Sequence, residues 1–304
     1  MRWLLSIFYC IALIGAIAAQ NEYIGIDRYI DSLVDNGSEF ELTAILDEFD
    51  ENFQSDKEKV RAVYSWIVKT IEYDDNNYES GSFAGGRLDR IRKIIEKKEG
   101  TCLDYSFLFD FMCSYLSVNS GVVDGIVKLK KDESVVEIMS NRHVWNYVAI
   151  DGDEYFIDAT FGELYYLITP SKFIFSHFPD EEEWQLLSNP ISIEDFFNMP
   201  SANINVFFRE REILDIYPHS NINIEENSNI EFGIKIKPGS INNYKIGIRE
   251  RNKFLIKEKT AEANQDGHLS IDYNLNTSQK NTEIQIMIKS GLKGFQELVS
   301  YKLY

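Results

Sequence analysis

Gly100-Thr101-Cys102-Leu103-Asp104-Tyr105 opens the stretch whose reading decides the fold. From there Cys102, Tyr105, Phe109, Met112, Cys113 and Leu116 recur at helical spacing on one face, and Leu103, Phe107, Leu108 and Phe111 fill the others. A helix apolar nearly all round is buried on all sides, so Thr101 to Ser117 reads as the central helix of its domain. A cysteine at the N-terminus of such a helix has its thiolate stabilised by the helix dipole and by the unsatisfied amides there. Those amides are also suited to hold an oxyanion when a thiolate adds to a carbonyl.

Upstream, Ser55 and Glu58 form a capping box, after which Val60, Val63, Tyr64, Ile67 and Ile71 recur helically with Trp66 widening the stripe. The spacing predicts a helix to about Tyr73. Tyr23 to Val34 and Phe40 to Phe49 read as two shorter helices. A polar, Gly-rich loop from Asp74 to Gly86 leads into a basic-ended helix, Arg87 to Lys98, stopped by Gly100. Downstream, Val122 to Lys130 and Val135 to Met139 read as weakly patterned strands. His143 to Ile150 and Glu154 to Thr160 form a hairpin around Asp151-Gly152, a strong turn signal.

The hairpin permits a register argument. With a two-residue turn, His143 faces Thr160 and Asp158 faces Trp145, which makes His143 and Asp158 diagonal neighbours on one face, about 7–8 Å apart at the backbone. A three-residue turn puts them on opposite faces. In the first case Asp158 fixes the tautomer of His143 and stabilises its imidazolium, which in turn favours a Cys102 thiolate. The competing reading takes Cys102 as a small buried hydrophobe and His143 as a hydrogen-bonded core histidine; order, context and facing geometry favour catalysis. His177, in Ser176-His177-Phe178-Pro179, has no carboxylate at strand spacing and reads as structural. His219 and His268 read as solvent-exposed turn residues, and Glu181 to Glu183 as a solvated loop. There is no Cys-x-x-Cys pair, no His-Glu-x-x-His, no calcium loop and no phosphate loop, so no metal or cofactor is expected.

The chain has 304 residues and a net charge of −18. Residues 20–200 carry 16 Lys/Arg against 36 Asp/Glu, while residues 201–304 carry 14 against 13. So acidic a first domain repels phosphate backbones and excludes nucleic acid as a partner. It suits cationic or Lys-bearing partners, although solubility alone explains the charge. Residues 1–19 combine Arg2, an apolar run from Trp3 to Ile17 and small residues near Ala18-Ala19, the pattern of a secretory signal peptide. A retained membrane anchor competes with it, but the run is shorter than the ~20 residues a span needs. Secreted or periplasmic localisation follows, with no integral membrane segment after cleavage.

Cys10 leaves with the signal, so Cys102 and Cys113 remain. Eleven residues of helix separate them by about 16 Å of rise, against the ~7 Å limit between the Cα atoms of a disulfide. Pro190 and Pro200 mark the exit from a first domain, residues 20–200. Beyond it lie short alternating runs, including Ile222 to Ile224, Ile230 to Ile236, Tyr244 to Ile248, Phe254 to Ile256, Leu269 to Tyr273, Ile284 to Ile288 and Leu298 to Leu303. Punctuated by Pro238-Gly239 and Asp266-Gly267, they read as a β-sandwich over residues 201–304.

Gly100-Thr101-Cys102-Leu103-Asp104-Tyr105, His143-Val144-Trp145-Asn146 and Ile157-Asp158-Ala159-Thr160 resemble, in that order, the three core motifs of the transglutaminase-like superfamily, a papain-like fold. Trp66-Ile67 through Ile71-Glu72-Tyr73-Asp74 resembles the helix before the family's cysteine. His177-Phe178-Pro179 with Trp184-Gln185-Leu186-Leu187 is similar to its kyphoscoliosis-peptidase-like branch. The resemblance covers about residues 40–200 and implies an α+β fold with a central buried helix packed on an antiparallel sheet. It also implies Cys102 as nucleophile, His143 as base and Asp158 as orienting acid. Phe161 stands where many members have Trp. The family includes cross-linking acyltransferases, cysteine peptidases, a peptide N-glycanase and inactive members, and the glycanase branch is disfavoured by the missing zinc-type cysteines. The expectation is an exported thiol enzyme acting on amide bonds of a protein or peptide substrate through a Cys102 thioester. The alternative is a non-catalytic binding or assembly module of the same fold. The sequence leaves the oligomeric state open.

Overall fold

The computed structural model describes residues 22–35, 41–74, 86–224, 229–237, 244–250, 267–290 and 294–304. The signal-peptide reading, most of the Asp74 to Gly86 loop, the Phe254 to Ile256 run and Pro238-Gly239 fall outside them. Two compact units emerge, one drawn from Met1–Val122 and Trp145–Asp153, the other from Val123–Val144 and Glu154–Tyr304.

In the first unit, helices α1 (Ile24–Asp35) and α2 (Leu42–Asn52) pack on α3 (Asp56–Thr70), and α3 and α4 (Arg87–Lys97) pack on α5 (Cys102–Tyr115). The Ser55–Glu58 capping box is present, with Glu58 Oε2 accepting from the Ser55 N–H at 3.0 Å. It closes two orphan donors of α3. Helix α3 stops at Thr70, short of the expected Tyr73, because Ile71 turns extended and Glu72–Tyr73 becomes a two-residue strand, β1. β1 pairs in parallel with β2 (Glu99–Gly100). Helix α4 is ended by Lys98 in the left-handed conformation (φ 56°) rather than by a glycine. Helix α5 packs against α3 and α4 and buries Cys102, Tyr105, Leu108, Phe109, Met112 and Cys113. Cys102 and Cys113 are both free and buried.

The second mixed region is built on a four-stranded sheet of order β5-β4-β3-β6, with β3 (Ser120–Val127), β4 (Arg142–Ile150), β5 (Asp153–Ile157) and β6 (His177–Pro179). Between β4 and β5, Asp151 (φ 55°) and Gly152 (φ 89°) both take positive φ, the requirement of a two-residue type I′ turn. Val135 to Met139, expected as a strand, lies in helix α6 (Val135–Ser140). Its cap explains the difference: the Ser134 hydroxyl accepts from the Glu137 N–H and Glu137 reaches back to Ser134, which starts a helix where hydrophobicity alone was ambiguous.

The C-terminal strands form two antiparallel sheets. One has order β10-β12-β13-β7, from β7 (Ser201–Ala202), β10 (Tyr244–Glu250), β12 (Thr282–Ser290) and β13 (Gln296–Leu303). The other has order β11-β9-β8, from β8 (Ile213–Tyr217), β9 (Asn229–Ile236) and β11 (His268–Asn274). Phe232 of β9 and Tyr301 of β13 meet edge-on at 5.0 Å, so the two sheets share one core. Ile222 makes an isolated bridge to Leu303 rather than a strand, and His268 opens β11 rather than sitting in a turn. Ahead of these sheets, Lys172 is buried with its Nζ donating to the carbonyls of Glu210 (3.0 Å) and Ile213 (2.8 Å). Arg211 donates in the reverse direction, to the carbonyls of Tyr166 (2.7 Å) and Glu163.

Candidate active site

Cys102 is the first residue of α5, 2% exposed. The backbone before it is shaped by close contacts. A Cβ on Gly100 would lie 2.7 Å from Asp104 Cβ, so only glycine lets the chain run tightly against the first helical turn. Asp104 accepts from the Thr101 N–H (2.7 Å) and from the Thr101 hydroxyl (2.9 Å), and its other oxygen pairs with Arg90 of α4. An acidic group thereby caps the positive end of the helix. Tyr105 donates its hydroxyl to the carbonyl of Ile71, and burial together with nearby Glu72 pushes its pKa up to about 12. It therefore remains a donor at all ordinary pH.

His143 and Asp158 meet in the second unit. His143 is the second residue of β4; Asp158 lies just past the end of β5, where its N–H donates to the carbonyl of Tyr165 at 3.0 Å. The expected strand to Thr160 thus ends at Ile157, and the chain turns as it delivers the carboxylate. His143 Nε2 lies 2.6 Å from Asp158 Oδ2, and both side chains are buried. The Thr160 N–H (3.0 Å) and hydroxyl (2.5 Å) donate to Oδ1. Burial by itself would raise the Asp158 pKa; the charge and hydrogen bond of His143, then of His177, instead hold it well below the usual carboxylate range. The carboxylate is the stable form there.

His177, which has no carboxylate at strand spacing along its own segment, is brought to one by the sheet. Its Nε2 lies 3.3 Å from the same Asp158 Oδ2, and its Nδ1 lies 2.8 Å from Ser176 Oγ. It reaches the site because β6 pairs with β3, Val127 opposite His177, and β3 separates β6 from β4 in the strand order. Spacing along one hairpin carries no trace of such a neighbour. Burial lowers the His177 pKa to about 4, against the opposing pull of Asp158. Phe161, the chain's departure from the Trp of many members of the resembled family, stacks on the His143 ring at 4.7 Å and is 36% exposed. His219 is exposed as expected and holds Asp215 at 2.9 Å.

His143, Asp158 and His177 are also the described residues whose donor atoms lie close enough together, within 4.8 Å, to hold a metal ion. Two ligands on a tetrahedral ion with 2.0–2.1 Å bonds stand about 3.3 Å apart. The 2.6 Å between His143 Nε2 and Asp158 Oδ2 is instead hydrogen-bond spacing. As placed, the three share protons. Among the described residues, no helix is long and apolar enough to cross a membrane.

Residues 43–158 match the family profile described as the transglutaminase-like superfamily. The span runs from α2 to Asp158 and includes Cys102 and His143. The chain is 29% identical over 174 residues to kyphoscoliosis peptidase of Mus musculus, covering 52% of this chain and 26% of that protein. It is 30% identical over 161 residues to the Homo sapiens protein of that name, covering 47% and 24%. A crystal structure described as that of a TGase aligns with 51% of this chain and 38% of its own, at 15% identity and a TM-score of 0.29. The chain spans about a quarter of the length of the curated relatives it matches.

Proposed function

The chain carries a transglutaminase-like domain, and from that premise we propose that it is a thiol enzyme acting on amide bonds of proteins or peptides. The roles are Cys102 as nucleophile, His143 as general base and acid, and Asp158 as the group that orients His143. The observation that carries this reading is the buried 2.6 Å contact between His143 Nε2 and Asp158 Oδ2. Because Asp158 engages Nε2, His143 would exchange protons with the reacting groups through Nδ1.

In the reaction, Cys102 gives its proton to His143 and its sulfur adds to the substrate carbonyl. As the tetrahedral intermediate collapses, the C–N bond breaks and His143 returns the proton to the departing amine, leaving a thioester. Water or a second amine then attacks that thioester, losing a proton to His143, which passes it to the leaving sulfur. Water yields hydrolysis; a lysine amine yields a cross-link. Amides at the start of α5 would stabilise the oxyanion.

The near-complete burial of Cys102, 2% exposed, favours a second reading, a binding module that keeps the domain without turnover. Alkylation of the protein with iodoacetamide across pH, with Cys102→Ala as control for Cys113, separates the two. The enzyme reading expects labelling of Cys102 with an apparent pKa below an ordinary thiol's ~8.5, shifted upward by His143→Ala. An ordinary pKa indifferent to His143→Ala overturns it. If Cys102 is activated, a protein substrate incubated with a tagged primary amine distinguishes transfer from hydrolysis. Export is part of the proposal and rests on residues 1–19; the N-terminus of the mature protein, read by mass spectrometry, tests it.

A further inference from the structure

Asp158 receives more donors than one orienting carboxylate needs. Thr160 fills Oδ1 with its N–H and hydroxyl, while His143 Nε2 and His177 Nε2 both converge on Oδ2. An ionised carboxylate offers about four lone-pair sites, and here all four are taken. The geometry points to His177 as a positioning residue for His143: its Nε2–H shares Asp158 Oδ2 with His143, fixing that oxygen in place and limiting how strongly it pulls on the His143 proton. This deepens the proposed function and rests on it.

Proton bookkeeping supports the assignment. An uncharged imidazole has one N–H and one acceptor nitrogen. An ionised Asp158 can only accept, so the single imidazole proton belongs on the Nε2 that faces it at 3.3 Å, and Nδ1 is left to accept from Ser176 Oγ at 2.8 Å in place of that hydroxyl's longer 3.3 Å bond to the Phe173 carbonyl. The ring has little freedom to do otherwise: it is fully buried, stacked on Phe173 at 4.0 Å and met edge-on by Tyr165 at 5.0 Å. The titratable groups around it are Asp158, His143 and Tyr165. His177, with its pKa lowered to about 4, stays uncharged where His143 would work. Two histidines on one carboxylate are thereby divided in function.

The test uses the full chain with Cys102→Ala, labelled with ¹⁵N-histidine, so it is independent of any chemistry at sulfur. In the unsubstituted site the His177 nitrogens should report the Nε2–H tautomer from about pH 5 to about pH 8; an Nδ1–H tautomer or a charged ring overturns the proposal even if no variant folds. His177→Phe keeps a ring on Phe173 but removes the donor. With Oδ2 accepting from His143 alone, His143 should titrate at least about half a pH unit higher, and His177→Gln, which keeps an amide donor, should restore the original profile. A His143 titration unmoved by His177→Phe, or one that Gln fails to restore in a folded protein, overturns it. With Cys102 present, the same substitutions separate the two readings. If the His143 titration moves while Cys102 alkylation ignores His143, the enzyme proposal fails and this one stands. If alkylation depends on His143 but its pH profile is untouched by His177→Phe, this one fails alone.

Discussion

The surroundings of Cys102 and those of Asp158 are built by opposite means. At Cys102 the contacts are mostly local in sequence: Gly100 against Asp104, Thr101 capped by Asp104, with Arg90 reaching over from the preceding helix. At Asp158 three segments converge, contributing His143, Thr160 and His177 from positions up to 19 residues away. Local construction tolerates loss piece by piece; a convergent carboxylate does not, because every donor it holds is left without its acceptor at once.

Asp158→Ala should be the most damaging change. It leaves two buried imidazoles and Thr160 without their acceptor, and removal of one partner of a buried charged pair costs about 3–5 kcal/mol, readable as a lower midpoint in urea. The pH dependence comes next. His177 has a folded pKa of about 4 against ~6.5 unfolded, so the unfolded chain takes up a proton that the folded one refuses. The resulting stabilisation is complete above about pH 6.5 and drains away as pH falls toward 4. Asp158, also depressed, prolongs the loss to lower pH. Urea midpoints at pH 7 and pH 5 should differ in that sense, and His177→Phe should flatten the difference.

On the Cys102 side, Gly100→Ala should cost about 1–3 kcal/mol, the range for overpacking, since its Cβ forces Asp104 off Thr101; a variant as stable as the parent would show the local contact to be loose. Ser55→Ala, which removes the α3 cap in the same unit, should cost about 1 kcal/mol and leave Cys102 alkylation unchanged. A change in alkylation with Ser55→Ala would show that Cys102 does not depend on its local contacts alone.

The same contrast explains what could be read in advance. The α5 periodicity, the Ser55–Glu58 cap and the Asp151–Gly152 turn are local signals, and each corresponds to a local structure. The turn carried furthest: the expectation built on it, that His143 and Asp158 meet, agrees with their 2.6 Å contact, although Asp158 lies past the end of β5 rather than in the strand. Helix α6 was misread although its Ser134–Glu137 cap was in view, because five apolar-rich residues fit a strand as well as a helix. The contact of His177 with Asp158 was not legible for a deeper reason: it depends on β6 pairing with β3, and strand order is a property of the assembled sheet that no spacing along the chain encodes.

The reciprocal pair formed by Lys172 and Arg211 bears on mechanics. Lys172 grips the carbonyls just before and at the start of β8, while Arg211 grips those of Glu163 and Tyr166 in the loop after Asp158. Tension applied along β8 would reach these side-chain bonds, running in opposite directions, before it reached the Tyr165 carbonyl that anchors the Asp158 backbone. The carboxylate that meets His143 sits behind a strain relief.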